Sequence, residues 1–106
     1  MDKTIARIMS FWSAAGLYKA GCVNKQLCKI REEFMELMKA FYEYYYVDKS
    51  EENKLNLQKE IGDLFIALMN FCELLGFDIE MCAKLSHEKN QNRNYYMKGD
   101  ECVRDK

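Results

Sequence analysis

Two short clusters of carboxylates have the spacing of helix faces. Glu32, Glu33 and Glu36 occur in REEFMEL, and Glu60 and Asp63 occur in KEIGD. At about 100° per residue, side chains three positions apart project from the same side of a helix. Each cluster therefore predicts an acidic pair on one helix face, Glu33 with Glu36 and Glu60 with Asp63.

Asp63 has the most unusual surroundings of these acids. It is the only charged residue in the apolar run IGDLFIALMNFC, which predicts a helix that is buried on most sides. A buried carboxylate is unfavourable without a partner. The next residues along the same strip of the helix include no lysine or arginine. The sequence therefore predicts that a cation lies beside Asp63.

Magnesium is the cation that this chemistry favours. Acidic pairs that face one another either have raised pKa values or enclose a cation. Mg²⁺, with Mn²⁺ as a substitute, prefers carboxylate oxygens and keeps water molecules that a phosphate can replace. The alternative for Glu32, Glu33 and Glu36 is a solvated face with ion pairs to Lys29, Arg31 or Lys39. The apolar setting of Asp63 favours the metal site.

Helices are the elements that must position these acids. The chain has 106 residues, no proline and five glycines, and no segment has the alternating pattern of a strand. Gly16 and Gly76 are predicted helix ends, and Asp78 is a predicted N-cap. Four amphipathic helices are predicted, over residues 3–15, 24–46, 50–75 and 78–97, the third starting at residue 50 or 51.

Apolar residues in the second and third predicted helices recur in steps of three and four. The stripes are Leu27, Ile30, Phe34, Leu37, Phe41 and Tyr45, and Leu57, Ile61, Leu64, Leu68, Phe71 and Leu75. This spacing predicts the core of an all-α, four-helix bundle-like fold. We expect a single domain over residues 1–97 and a polar, frayed C-terminal tail over residues 98–106.

Composition excludes several classes of protein. A formal net charge of -1 argues against general nucleic-acid binding. No apolar run is long and uncharged enough to span a bilayer, and the N-terminus lacks the order of a signal peptide. Five cysteines without Cys-x-x-Cys spacing, and a single histidine, argue against zinc. We expect a soluble cytoplasmic protein with no nucleic-acid or membrane partner.

The acids also form a longer motif. EEFME, twenty-three residues and then EIGD have the form Glu-Glu-x-x-Glu … Glu-x-x-Asp, followed by GDLFIALMNFCELLGFDIEMCAKLSHEKNQNR. This pattern resembles the MazG-like all-α nucleoside triphosphate pyrophosphohydrolases, over roughly residues 25–93. The resemblance implies Mg²⁺-dependent cleavage of nucleoside or deoxynucleoside triphosphates into a monophosphate and pyrophosphate, in the cleaning of the nucleotide pool.

The resemblance also implies roles for the acids. Glu33, Glu36, Glu60 and Asp63 would hold the metal ions. Glu32 matches the first acid of the motif and, with Glu33, would form the catalytic set that binds metal through water or orients the attacking water.

Basic residues near the end of the fourth predicted helix are candidate substrate contacts. Lys89 and Arg93 are four residues apart and share a helix face. The resemblance suggests that they contact phosphates, with Asn90 nearby for the sugar or base. The alternative is an exposed basic helix end, where cations suit the helix dipole.

Trp12 is a candidate for stacking on a nucleobase, with a place in the core as the alternative. Asn24 and Lys25, near the start of the second predicted helix, are further candidates for substrate contact. The residue types alone do not choose among these roles.

One copy of the bundle is small for enclosing a nucleotide. By the resemblance we expect a homodimer, or a dimer of dimers, with the tyrosines of residues 42–46 partly buried between chains. Two functional alternatives stay open. One is a catalytically silent helical module that binds a nucleotide or a protein partner, and the other is a phosphoribosyl-ATP pyrophosphohydrolase. The complete set of motif acids favours the enzyme.

Overall fold

Helices α3 (Val23–Tyr42) and α4 (Glu51–Leu75) form the centre of the computed structural model, which describes residues 3–105. They run antiparallel, since the side-chain amide of Gln26, near the start of α3, donates to the carbonyl oxygen of Ala67, late in α4, at 3.0 Å. The structure is mostly helical, as predicted. Met1, Asp2 and Lys106, which belong to the predicted domain and tail, lie outside the described residues.

Three further helices pack around this pair. Helices α1 (Lys3–Ala14) and α2 (Leu17–Ala20) contact α4 on one side, and α5 (Ile79–Gln91) contacts α4 after a short turn. No helix within residues 3–105 is long and apolar enough to cross a membrane.

Local capping signals set the ends of α4 and the start of α5. The Ser50 hydroxyl accepts a hydrogen bond from the Asn53 N–H at 3.1 Å, and the Asp78 carboxylate accepts one from the Glu80 N–H at 3.0 Å. Gly76 ends α4 with φ of 76°, a left-handed conformation that glycine adopts without strain. The predicted helix ends at these positions are confirmed.

The last turn of the second predicted helix has π-helical hydrogen bonding. Residues Glu43–Val47 form this turn, and the Asp48 N–H bonds to the Glu43 carbonyl oxygen at 2.9 Å. Four aromatic side chains pack on one another here, with neighbouring ring centroids 5.0–6.0 Å apart. We call these four residues the aromatic surface: Phe41, Tyr42, Tyr45 and Tyr46.

The C-terminal segment differs from the prediction. Helix α5 ends at Gln91 rather than near residue 97, and strands β1 (Tyr95–Lys98) and β2 (Glu101–Arg104) form an antiparallel hairpin. Gly99, with φ of 64°, allows the turn between them. The predictions of a longer helix, of no strands and of a frayed tail are therefore wrong here. The two strands are too short for their periodicity to stand out in the sequence.

The buried apolar core is small. Ala40, Ala67 and Met69 are the buried hydrophobic residues among residues 3–105. Several members of the predicted core stripes are exposed instead, including Phe34 at 45% and Ile61 at 53%. The sequence predicts that the stripes are covered within one chain, but within residues 3–105 the helices α1, α2 and α5 pack against α4 and not against α3. The prediction of a homo-oligomer stays a prediction, and these exposed stripes are consistent with it.

Candidate functional site

Three of the predicted metal ligands converge between α3 and α4. Glu33 from α3 and Glu60 and Asp63 from α4 each place one carboxylate oxygen within 4.8 Å of the other two. The three-residue spacing puts Glu60 and Asp63 on one face of α4, and the antiparallel packing brings Glu33 opposite them. Three converging carboxylate oxygens form the type of donor set that suits a hard divalent cation.

The other two motif acids lie at the edge of this cluster. Glu36 is one turn beyond Glu33 on α3, and its charge acts on Glu60. The Glu32 side chain is 69% exposed, and its Oε2 lies 3.9 Å from the ammonium nitrogen of Lys29. Both acids are therefore near the cluster, with Glu32 on its solvent side.

Glu60 is the member of the cluster whose ionisation is disturbed. Partial burial raises the pKa of its carboxyl above the ordinary value, and the charges of neighbouring carboxylates raise it further. These neighbours are Asp63, Glu33 and Glu36. The predicted repulsion among the acids is thus present at Glu60. A cation among the carboxylates would stabilise the ionised form, so the residues present fit a divalent metal ion.

Asp63 is exposed, which corrects the prediction of a buried carboxylate. The apolar run that contains it does form a helix, but neighbouring helices cover that helix only in part and leave Asp63 at an open cavity. Burial therefore does not require a cation at Asp63. The case for a cation rests instead on the convergence of three carboxylates.

Lys29 is a basic partner of Glu33, and it lies on α3 rather than on the strip of α4 that follows Asp63. It is one turn before Glu33 on α3, and its ammonium nitrogen lies 3.0 Å from Glu33 Oε1. The hydrogen bond with Glu33, and the charge of Glu33, raise the pKa of Lys29. The ion pair named as the alternative to a metal site is therefore present beside the cluster.

A cavity of about 610 Å³ extends from the acids along the groove between α3 and α4. Glu33 and Asp63 line one end of it, about two helical turns from Gln26 and Asn70, and Trp12 from α1 also lines it. Its volume is within the range of roughly 300–1,000 Å³ that is usual for small-molecule sites. The candidates Trp12 and Lys25 both line this cavity, and Asn24 does not.

The basic candidates of the fourth predicted helix lie elsewhere. Lys89, Asn90 and Arg93 are exposed near the end of α5 and are not among the residues that line the cavity. Asn90 Oδ1 accepts a hydrogen bond from the Tyr95 hydroxyl at 2.9 Å, which ties it to the hairpin. In a single chain, the described structure does not bring these three residues to the acids.

Two buried amides in the cavity wall were not predicted. Gln26 and Asn70 are the buried polar residues among residues 3–105. Asn70 interrupts the apolar run of α4, which is the one signal that the sequence offers. A polar residue near an apolar stripe is more often solvated, so only the packing of α3 on α4 identifies these amides as part of a site.

Comparison with known proteins gives one family. Residues 24–97 match the model of the MazG nucleotide pyrophosphohydrolase domain. The match includes α4 and α5, the five motif acids and both buried amides. Comparisons with curated proteins and with solved structures gave no match.

Proposed function

The chain belongs to the MazG nucleotide pyrophosphohydrolase domain family, and on that premise we propose that it hydrolyses nucleoside or deoxynucleoside triphosphates in an Mg²⁺-dependent reaction. The products are a nucleoside monophosphate and pyrophosphate, and the role is the cleaning of a cytoplasmic nucleotide pool. The observation that carries the proposal is the convergence of Glu33, Glu60 and Asp63, of which Glu33 and Asp63 also line the cavity.

The reaction is an attack of water on the α-phosphorus. The bond from the α-phosphorus to the oxygen that bridges the α- and β-phosphates breaks, and pyrophosphate leaves. Glu33, Glu36, Glu60 and Asp63 would hold Mg²⁺, with Mn²⁺ as a substitute. When bound, the metal ion neutralises phosphate charge and acidifies bound water. Glu32, on the solvent side of the cluster, is the residue that we propose accepts the proton of the attacking water.

Lys29 has a role in binding the polyphosphate. Its ammonium group neutralises Glu33 in the structure, and it also lines the cavity. Once a divalent cation occupies the carboxylates, this ammonium group is available to a phosphate oxygen. Lys89, Asn90 and Arg93 remain proposed contacts for phosphate and sugar, and the predicted homodimer is a way to bring them to a cavity from a second copy.

The direct test is pyrophosphate release from a panel of ribo-, deoxyribo- and modified nucleoside triphosphates with Mg²⁺. We expect the Asp63→Asn variant to lose about 100-fold or more in kcat/KM, since a carboxylate ligand becomes a neutral amide. The matched control is Asp100→Asn in the exposed hairpin turn, which should keep wild-type activity. Equal activity in Asp63→Asn and wild type would contradict the proposal.

A catalytically silent binding module is the second candidate, because the ion pair between Lys29 and Glu33 already gives one acid a counter-charge. The two candidates differ in their response to metal. The enzyme should gain thermal stability with Mg²⁺ through binding to the folded state. A silent module should show neither that gain nor any release of pyrophosphate.

A further inference from the structure

The two ends of the cavity differ in chemistry. The carboxylates of Glu33 and Asp63 and the ammonium group of Lys29, which pairs with Glu33, make one end strongly charged. The rest of the wall includes the indole of Trp12, the apolar side chain of Ala67 and the two buried amides, and its one charged residue is Lys25. A ligand that fills the cavity must therefore be highly charged at one end and flat or weakly polar at the other.

The Gln26 amide has a fixed orientation. Its Nε2 donates to the main-chain carbonyl oxygen of Ala67 at 3.0 Å, and a carbonyl oxygen can only accept. The Oε1 atom is therefore the free end of the amide, and no residue within 3–105 donates to it. Because every fully buried side-chain oxygen or nitrogen in that range has a partner, this Oε1 must keep access to the cavity.

The Asn70 amide presents the complementary group. Its Oδ1 accepts a hydrogen bond from the Tyr18 hydroxyl at 2.7 Å. Burial, then the charge of Glu73, raises the pKa of Tyr18, so this hydroxyl stays protonated and donates. The Asn70 Nδ2 has no acceptor within residues 3–105, although the residue is only 3% exposed. Because every fully buried side-chain nitrogen or oxygen in that range has a partner, this Nδ2 also keeps access to the cavity, where it can donate to a ligand.

The positions of the amides match the shape of a nucleotide. Gln26 is two helical turns from Glu33 on α3, and Asn70 is two turns from Asp63 on α4, so the amides lie about 10 Å along the helix axes from the acids. A sugar separates the phosphates of a nucleotide from its base. With the phosphates at the acids, the base reaches the amides and Trp12.

We infer that this end of the cavity is a nucleobase subsite. Gln26 Oε1 accepts an N–H of the base, Asn70 Nδ2 donates to an adjacent ring nitrogen or carbonyl oxygen, and the indole of Trp12 covers one face of the ring. The inference rests on the proposed function, because it states which part of the substrate lies at which end. It makes turnover depend on the base, because a polyphosphate without a base cannot pair with the two amides.

The test compares ligands with and without a base. The Gln26→Leu variant keeps the size of the side chain but loses the acceptor, and Gln58→Leu on the exposed side of α4 is the matched control. We expect Gln26→Leu to lower kcat/KM for the best nucleoside triphosphate about 10-fold or more. The inhibition constant of inorganic tripolyphosphate, which has no base, should stay at the wild-type value.

A second variant guards against a purely structural effect. Asn70→Asp keeps an oxygen for the Tyr18 hydroxyl but replaces the free N–H donor with an acceptor. It should lower kcat/KM for the best substrate and change the ranking of the bases in the panel. The inference is overturned if Gln26→Leu changes nucleotide turnover and tripolyphosphate inhibition by the same factor, or if neither variant alters kcat/KM or the ranking.

Binding without catalysis separates this inference from the proposed function. Trp12 is the single tryptophan, so its fluorescence reports directly on this end of the cavity. The four deoxynucleoside monophosphates are the probes, and ribose 5-phosphate is the control without a base. Quenching by deoxynucleoside monophosphates but not by ribose 5-phosphate supports the subsite even if no triphosphate is hydrolysed. Absence of quenching by all four overturns the subsite even if hydrolysis is observed.

Discussion

The cavity and the aromatic surface place polar and apolar groups in opposite ways. In the cavity wall the buried residues Gln26 and Asn70 are polar, and each makes a hydrogen bond within the chain. At the other end of α3, the four aromatic side chains are 44–66% exposed and mainly contact one another. Buried amides suit a small polar ligand, whereas an exposed aromatic cluster suits the surface of another protein.

This contrast separates ligand binding from assembly. The cavity already has its acids, its amides and its indole within one chain. The aromatic surface stays about half exposed, although its π-helical turn contacts α4 and the Lys49 ammonium lies 4.8 Å from the ring centroid of Tyr45. The predicted homodimer would cover this surface and would leave the chemistry of the cavity unchanged.

The largest expected effect is at the acidic end of the cavity. Glu60→Gln should lower kcat/KM about 100-fold or more, because it removes a proposed metal ligand. Steady-state pyrophosphate release measures this loss, with Glu88→Gln on the exposed face of α5 as control. Wild-type activity in Glu60→Gln would remove Glu60 from the site.

The same variant tests the electrostatics of the folded chain. Because the pKa of Glu60 is raised, the folded state binds the proton of this carboxyl more tightly than the unfolded state does. The free energy of unfolding therefore falls as pH rises from the ordinary carboxyl pKa through the raised pKa of the folded state. In EDTA at neutral pH, Glu60→Gln should therefore melt at a higher temperature than wild type. The difference should shrink as pH falls below the ordinary carboxyl pKa, which thermal melts over a pH series can measure.

The next largest effect is expected at the aromatic surface. Tyr46 is 66% exposed and contacts three other rings of the cluster. Tyr46→Lys should raise the dissociation constant of the homodimer about 10-fold or more, as for a central aromatic residue of an interface. Sedimentation equilibrium measures the constant, and Tyr96→Lys on the hairpin is the control. A wild-type chain that stays monomeric at high concentration would refute the predicted assembly.

A smaller effect is expected at Lys29, which forms an ion pair with Glu33. Lys29→Met removes the charge that competes with a metal ion for Glu33. A half-exposed pair of this kind is worth about 0.5 kcal/mol, so Mg²⁺ should bind a few-fold more tightly. Calorimetric titration with Mg²⁺ measures this change, and Lys39→Met on the same helix is the control. Weaker Mg²⁺ binding would show that Lys29 supports the metal site rather than competing with it.

The smallest effect is expected at Gly62, between Glu60 and Asp63 on α4. No atom lies within 4 Å of the position where a Cβ would be added. Gly62→Ala should therefore stabilise the helix by about 0.5–1 kcal/mol, measured by denaturant unfolding. A gain in stability together with a loss of activity would indicate that a substrate uses this space. A loss of stability would contradict the open geometry at this position.

Sequence reasoning succeeded where structure depends on neighbours along the chain. The caps at Ser50 and Asp78 and the helix end at Gly76 depend on residues within one turn. The facing of Glu33 with Glu60 and Asp63 depends only on helical spacing and on antiparallel packing, which a helical bundle supplies. Most of the helices and the acidic cluster were therefore predictable.

The remaining features depend on how completely one helix covers another. Asp63 is exposed because the neighbouring helices cover α4 only in part, and this coverage is a property of tertiary packing. Tertiary packing also buries Gln26 and Asn70. The helical period alone does not predict that these two residues line a cavity. Only the packing of α3 and α2 on α4 defines these positions.

Helix α4 carries both the acids and one of the amides on a single unbroken element, Glu51–Leu75. Glu60, Asp63 and Asn70 therefore keep a fixed separation, and a substitution at one of them does not displace the others. Mutations can then accumulate at the amide end without disturbing the acids. Under the proposed function, a lineage of such chains would change its preferred nucleotides through single substitutions at the amides, while the acids that we propose hold the metal stay the same.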